Sequence, residues 1–192
     1  MNTVSSIKKS VGIFRKYKVP YALLHCTNIY PTPNKLVRLN CLIEIKKQFK
    51  DAVIGISDHT ETIYSCLGAV SLGASIIEKH FVDTKKRKGP DISCSMDNAE
   101  LKEMIKGSKL IFESLKGPKK PLKEEKKTIN FAFASVASTK NIKKGEKFTE
   151  KNIFTKRPGN GYFKVKDYLK ILGKCASKNI KKNRQLKKTD IH

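Results

Sequence analysis

An α/β fold with a parallel sheet, followed by a small turn-rich β module, is what this sequence predicts, and three observations predict it. Three short apolar runs are each followed by a segment of helical periodicity. A polar stretch with two prolines interrupts the chain after residue 116. Beyond it the composition shifts: residues 118–192 carry a net charge of +16, against +8 for residues 1–117.

The elements follow in order. Ile7, Val11 and Phe14 stand at i, i+4, i+7 spacing and predict an opening helix. Tyr21–Leu24, Val53–Ile56 and Ser75–Ile77 are apolar runs bounded by polar residues, the pattern of buried parallel strands. Leu36, Leu39, Ile43 and Phe49 predict a second helix, and Ile63, Leu67 and Val70 a third. A fourth is the best marked. Asp97 precedes Glu100 by three residues as a capping box, and Leu101, Met104, Ile105, Ile111 and Leu115 form its apolar stripe. The expected boundaries are an α/β domain over 1–116, a linker over 117–127 and a β-rich domain over 128–192. That last domain contains an internal echo, STKNIKKG from Ser138 to Gly145 and ASKNIKKN from Ala176 to Asn183.

Composition excludes several classes. With 39% apolar and 30% charged residues the chain can bury a core and present a solvated surface. No apolar stretch approaches the roughly 20 residues of a membrane span, and the first 19 residues intersperse five basic residues among apolar ones, unlike a signal peptide. Five scattered cysteines without a C-x-x-C pair indicate free thiols and a cytoplasmic setting. The net charge of +24 rests on 36 lysines and only five arginines, spread over every predicted helix face, with no Trp. Nucleic-acid surfaces favour arginine forks and stacking aromatics, so no nucleic-acid partner and no membrane partner is expected. A basic field does favour an anionic substrate.

The polar residues gather just after the strands, on the rim where parallel α/β folds bind ligands. HCTNIYPTP (His25–Pro33) follows the first strand, SDHT (Ser57–Thr60) the second and EKHF (Glu78–Phe81) the third, with a loop Lys88–Asp91 beyond. His59 and His80 end neighbouring strands, where their imidazoles can converge on one metal ion or serve as hydrogen-bonded structural residues. His25 is equally a loop support or a site residue, and His192 is inert. Three strand–helix units cannot close a barrel that needs eight strands, and the first strand would expose an apolar edge. The chain is therefore expected to be a fragment or one half of a two-chain protein.

In that order and spacing, HCTNIYPTP, GISDHT, IIEKHF and GPD resemble the second half of the N-acetylneuraminate (sialic acid) synthases. The tail, KNIKKGEKFTEKNIFTKRPGNGY and LGKCASKNIKKN, resembles their antifreeze-like (SAF) domain. The likeness runs from about Leu23 to Leu186. It implies the last three βα units of a (β/α)₈ TIM barrel followed by a small β-rich SAF domain, with the first half of the barrel absent.

The resemblance implies condensation of phosphoenolpyruvate with N-acetylmannosamine or a related amino sugar, giving a nine-carbon 2-keto acid and phosphate. The alkene carbon attacks the sugar's aldehyde carbon, water adds to the resulting cation, and phosphate leaves by carbon–oxygen cleavage. A divalent metal is implied, Mn²⁺ first and Mg²⁺ or Co²⁺ after it, held by His59 and His80. Asn28 and Ser57 match residues that hold phosphoenolpyruvate, while Tyr30, Glu78 and Asp91 match groups facing the sugar or the reacting centre. Arg157 matches an arginine that reaches a neighbouring subunit's site in a domain-swapped homodimer. A separate chain would supply the N-terminal half-barrel. Each residue also has a plainer role: Asn28, Ser57 and Asp91 as turn residues, Tyr30 as a packing ring, Glu78 as a partner for Lys79, Arg157 as a solvated cation.

Two departures stand out. The lysines that would neutralise the phosphate are absent with the first half-barrel, and KKTIN (Lys126–Asn130) replaces an arginine-rich opening of the SAF domain. HCTN with YPTP is closer to the neuraminate and legionaminate synthases than to the pseudaminate type. The competing expectations are an inactive remnant and a non-catalytic carbohydrate-binding or interaction module; ice binding is disfavoured by the charge.

Overall fold

The computed structural model describes residues 1–192, which form two compact units, Met1–Gly117 and Pro118–His192. In the first unit, α1 (Val4–Lys16) leads into β1 (Ala22–Cys26), α2 (Asn40–Gln48), β2 (Val53–Asp58), α3 (Tyr64–Ser71), β3 (Ile76–Lys79) and α4 (Asn98–Ser114). The strands form one parallel sheet in the order β1-β2-β3. All seven elements were expected. Each strand runs two residues further than its apolar run, because His25 and Cys26, Ser57 and Asp58, and Glu78 and Lys79 extend them.

The second helix departs from its expected start. Asn34–Leu36 make a single 3₁₀ turn, Arg38 takes a φ of 55°, and α2 begins only at Asn40. A left-handed residue cannot continue a right-handed helix, so the apolar periodicity from Leu36 bridges two elements. The capping box of α4 forms as its residue pair requires. Glu100 N–H donates to Asp97 Oδ1 at 2.9 Å, and Asp97 N–H donates back to Glu100 Oε2 at 3.1 Å.

Pleating divides the sheet's side chains between two faces. Leu23, Ile54, Ile56 and Ile77 point toward the helices, into a core with Val11, Leu42, Ile45, Phe49 and Ala69. The opposite face carries Ala22, Leu24 and Cys26 of β1, Val53, Gly55 and Ser57 of β2, and Ile76 and Glu78 of β3, aligned by the register Leu24↔Gly55↔Ile76 and Cys26↔Ser57↔Glu78. Nothing covers this face: Val53 is 47% and Ile76 38% exposed. A Cβ on Gly55 would meet the Ile76 carbonyl at 2.6 Å and Leu24 Cγ at 3.0 Å, so glycine lets its neighbours close over the strand. Parallel sheets are ordinarily buried on both faces, and this one is buried on one.

In the second unit α5 (Lys126–Ala132) occupies the end of the segment read as a linker, and β4 (Ser135–Ser138) pairs antiparallel with β5 (Ile153–Lys156), followed by α6 (Tyr168–Ile171). The sequence echo is a local two-fold. Ile142 and Ile180 exchange both backbone hydrogen bonds at 2.8 Å. Each copy's asparagine caps the other copy: Lys182 N–H donates to Asn141 Oδ1, and Lys144 N–H to Asn179 Oδ1, both at 2.8 Å. Gly145 (φ 81°) and Asn183 (φ 64°) take the same left-handed turn at equivalent positions. Ile142, Ile180, Phe148 and Leu186 meet across the axis in a fully buried core. No helix of the chain is long and apolar enough to cross a membrane.

Candidate active site

The C-terminal rim of the sheet gathers its polar residues by strand register. Ser57 stands opposite Glu78 on the uncovered face, and its Oγ donates to Glu78 Oε1 at 2.7 Å. Lys79, one residue on, points the other way. Its Nζ donates to Asp58 Oδ2 at 2.7 Å, with both side chains 1% exposed. Glu78 is therefore not the partner of Lys79; the two-residue period of the strand puts them on opposite faces.

His59 and His80 follow β2 and β3 directly, with ring centroids 5.2 Å apart. Tyr30 from the loop after β1 joins them, its ring 4.0 Å from His59 and 5.9 Å from His80. That loop is fastened to the histidine turn, since Thr32 N–H donates to the His59 carbonyl at 2.8 Å. Thr32 Oγ1 donates to the carbonyls of Thr27 and Ile29. Partial desolvation, and then the acidic groups of Cys26, Asp91, Cys94 and Glu78 around it, raise the Tyr30 phenol above its ordinary pKa. Tyr30, His59 and His80 thus share one neighbourhood. Asp91 takes a φ of 62°, and its carbonyl accepts from Ser95 Oγ at 2.7 Å, while its carboxylate has no protein partner.

Asn28, His25 and Arg157 make no hydrogen bond to the two histidines. Asn28 accepts a hydrogen bond from the Cys26 thiol at 3.0 Å and lines a cavity of about 710 Å³ along the free edge of β1, beside the first turn of α1. His25 is buried within β1 on the helix side, its Nε2 at 2.7 Å from the Val37 carbonyl, and serves as a loop support. Arg157 belongs to the second unit, exposed and without a hydrogen-bond partner. Its loop is well braced: the Pro158 carbonyl accepts from Ser135 Oγ (3.0 Å) and Gln185 Nε2 (2.9 Å), and Gly159 N–H donates to the Asn130 carbonyl.

No group of three or more His, Cys, Asp or Glu side chains converges to hold a metal ion. Two imidazoles do. His59 Nδ1 faces the Thr27 carbonyl at 3.3 Å and the Cys26 sulfur at 3.9 Å. A proton on Nδ1 leaves the free lone pair on Nε2, the tautomer a metal-ligating histidine uses. His80 has no hydrogen-bond partner at either nitrogen. The donor set therefore fits a divalent ion that takes two protein nitrogens and fills its other positions with water or substrate oxygen.

Missing from the sequence reading was the polar cluster behind the histidines: Lys79, Thr60 and Ser65 around Asp58. Oppositely charged residues at the ends of adjacent strands, both on the helix side by period-two counting, were the available signal.

A three-stranded parallel sheet whose strand ends gather His59, His80 and Tyr30, and a separate β domain with an internal two-fold, make this a two-domain α/β protein. The chain belongs to the NeuB family, whose model matches residues 1–120, and it carries an SAF domain at residues 133–192. It is 44% identical over 162 residues to the N,N'-diacetyllegionaminic acid synthase of Campylobacter jejuni, covering 84% of this chain and 48% of that protein. It is 37% identical over 191 residues to a pseudaminic acid synthase of the same species, covering 98% and 55%. The solved structure of an N-acetylneuraminic acid synthetase from Leptospira borgpetersenii superposes with a TM-score of 0.63 at 33% identity, over 67% of this chain and 45% of that one. The chain thus spans about half the length of the curated relatives it matches.

Proposed function

We propose that this chain provides the metal- and sugar-binding part of a sialic-acid-type synthase, condensing phosphoenolpyruvate with N-acetylmannosamine or a related amino sugar. The observation that carries the proposal is the convergence of Tyr30, His59 and His80 at strand ends that also hold the Ser57–Glu78 pair, in a chain of the NeuB family. Relatives named as synthases of legionaminic and pseudaminic acids support the product class.

In this reading His59 and His80 hold a divalent ion, Mn²⁺ first, which when bound polarises the aldehyde of the open-chain sugar. Glu78, oriented by the Ser57 hydroxyl, is the base or acid of the rim: it takes a proton from water adding at C2 of the former phosphoenolpyruvate, or positions that water. Tyr30 and Asp91 bind sugar hydroxyls from the loop side, and Ser57 and Asn28 bind phosphoenolpyruvate. The new carbon–carbon bond joins the alkene carbon to the aldehyde carbon. The aldehyde oxygen takes a proton, water supplies the ketone oxygen, and the bridging oxygen departs with phosphate.

The uncovered sheet face supports a (β/α)₈ barrel completed by strands outside these 192 residues, in the same polypeptide or in a partner chain. The braced loop of Arg157 supports its role as a fixed guanidinium presented to a neighbouring subunit's sugar in a domain-swapped homodimer.

Phosphate release from phosphoenolpyruvate tests this. The 192 residues alone release none, whereas mixing them with a polypeptide that supplies the remaining strands yields release that depends on amino sugar and Mn²⁺. In that completed barrel Arg157→Ala raises the sugar KM about ten- to a hundredfold, the loss of one charge-assisted hydrogen bond, and leaves the phosphoenolpyruvate KM unchanged. Sugar-independent release, or turnover by the isolated chain, would refute the reading.

A further inference from the structure

We propose that the buried Asp58–Lys79 ion pair is the positioning element of the two-histidine rim, setting where His59 stands relative to His80. The inference uses the metal reading above for what the imidazoles do; how they are held stands on geometry alone.

Lys79 lies between Glu78 and His80 on β3, and its side chain crosses to β2. Its Nζ donates both to Asp58 Oδ2 at 2.7 Å and to the Thr60 carbonyl at 2.5 Å, the residues immediately before and after His59. The same turn is closed from within: Thr60 N–H (3.2 Å) and Oγ1 (2.8 Å) donate to Asp58 Oδ2. It is also anchored from behind, where Ser65 Oγ, in the first turn of α3, donates to Asp58 Oδ1 at 2.6 Å. One ammonium therefore ties both flanks of His59 to the residue preceding His80. The His59 ring is left one backbone anchor, the Thr27 carbonyl at Nδ1.

An ion pair sequestered to this degree gains little over apolar side chains of similar size, since two charges are desolvated to make it. What an apolar pair would not provide is the clamp on residues 58–60. Asp58 and Lys79 touch no open cavity, so they are positioning residues and not catalytic ones.

The test is Lys79→Met in the 192-residue chain, read in three ways: thermal unfolding, ¹⁵N shifts of the His59 ring in the metal-free chain, and binding of Mn²⁺ alone. Wild type is expected to show one His59 tautomer with the proton on Nδ1. Lys79→Met is expected to mix the tautomers and to weaken Mn²⁺ binding on the order of tenfold, as loss of an orienting partner does. If the variant fails to fold, Asp58→Asn decides: it removes the charge that pairs with the ammonium while keeping the side chain's size, and is expected to shift the same ring signals. A folded variant with wild-type ring shifts and Mn²⁺ affinity within about twofold of wild type would overturn the inference. If wild type holds a fixed Nδ1–H tautomer that the variant loses, yet neither binds Mn²⁺, the positioning role stands and the metal reading fails.

Discussion

His59→Ala and His80→Ala each lower Mn²⁺-dependent phosphate release by the completed barrel more than about a hundredfold, while His192→Ala changes nothing. Loss of an orienting neighbour already costs a metal site ten- to a hundredfold, and loss of a ligand costs more. The effect is steep because the two imidazoles stand together and no third His, Cys, Asp or Glu completes a metal-holding group with them. A Mn²⁺ titration of kcat in each variant makes the check. Wild-type turnover in both histidine variants would remove the assignment, and an equal loss in His192→Ala would mean that the assay reports folding.

The second large effect concerns stability of the SAF domain, where the local two-fold inverts one polar pair. In the first copy Asn152 Nδ2 donates to Glu146 Oε1 at 3.0 Å, and Thr149 N–H donates to Asn152 Oδ1 at 2.7 Å. In the second copy the equivalent positions are Asp190 and Arg184: Arg184 Nη2 donates to Asp190 Oδ1 at 3.1 Å, and Lys187 N–H to Asp190 Oδ2 at 2.7 Å. Lys178 adds a third donor at 3.0 Å. Asp190→Asn turns an amide toward these cations and is expected to cost about 2–3 kcal/mol, the value of hydrogen bonds to a charged group, with some screening at the partly exposed Arg184. Arg184→Glu alone sets two carboxylates together and also destabilises. The double variant rebuilds the Glu–Asn pair of the first copy, so its loss is smaller than the sum by about 1–2 kcal/mol. Simple additivity in thermal unfolding would show that the two copies do not share this chemistry.

The same carboxylate sets an acid limit. Burial raises the Asp190 pKa, but Lys187 N–H, Lys178 and Arg184 outweigh it and hold the group below its ordinary value. A depressed folded pKa stabilises above the unfolded value of about 3.9 and loses that contribution as pH falls through the folded one. Domain stability in the wild type therefore drops below about pH 4, and Asp190→Asn removes that part of the drop.

Much of this was legible in the residues. Apolar runs of four or so residues and one strong capping box located the strands and α4, because burial on the helix side and N-terminal capping are local demands. The start of α2 was not legible: the left-handed Arg38 leaves no mark in a periodicity count. The motifs after the strands pointed to the strand ends, yet spacing alone did not separate Glu78 from Lys79, whose opposite destinations depend on the pleat. The echo in the tail predicted a turn-rich module but not that its copies pair with each other, since a pairing partner is a tertiary fact. The uncovered sheet face follows from counting strands.

The central claim is that carbon–carbon bond formation occurs on this rim. Incubating the completed barrel with [2-¹³C]phosphoenolpyruvate, N-acetylmannosamine and Mn²⁺, and following the label by NMR, tests it most directly. Label is expected at C2 of a nine-carbon 2-keto acid, formed with wild type and absent with Glu78→Gln or His59→Ala. Label recovered in pyruvate alone, or a labelled nine-carbon acid formed equally by both variants, would contradict it.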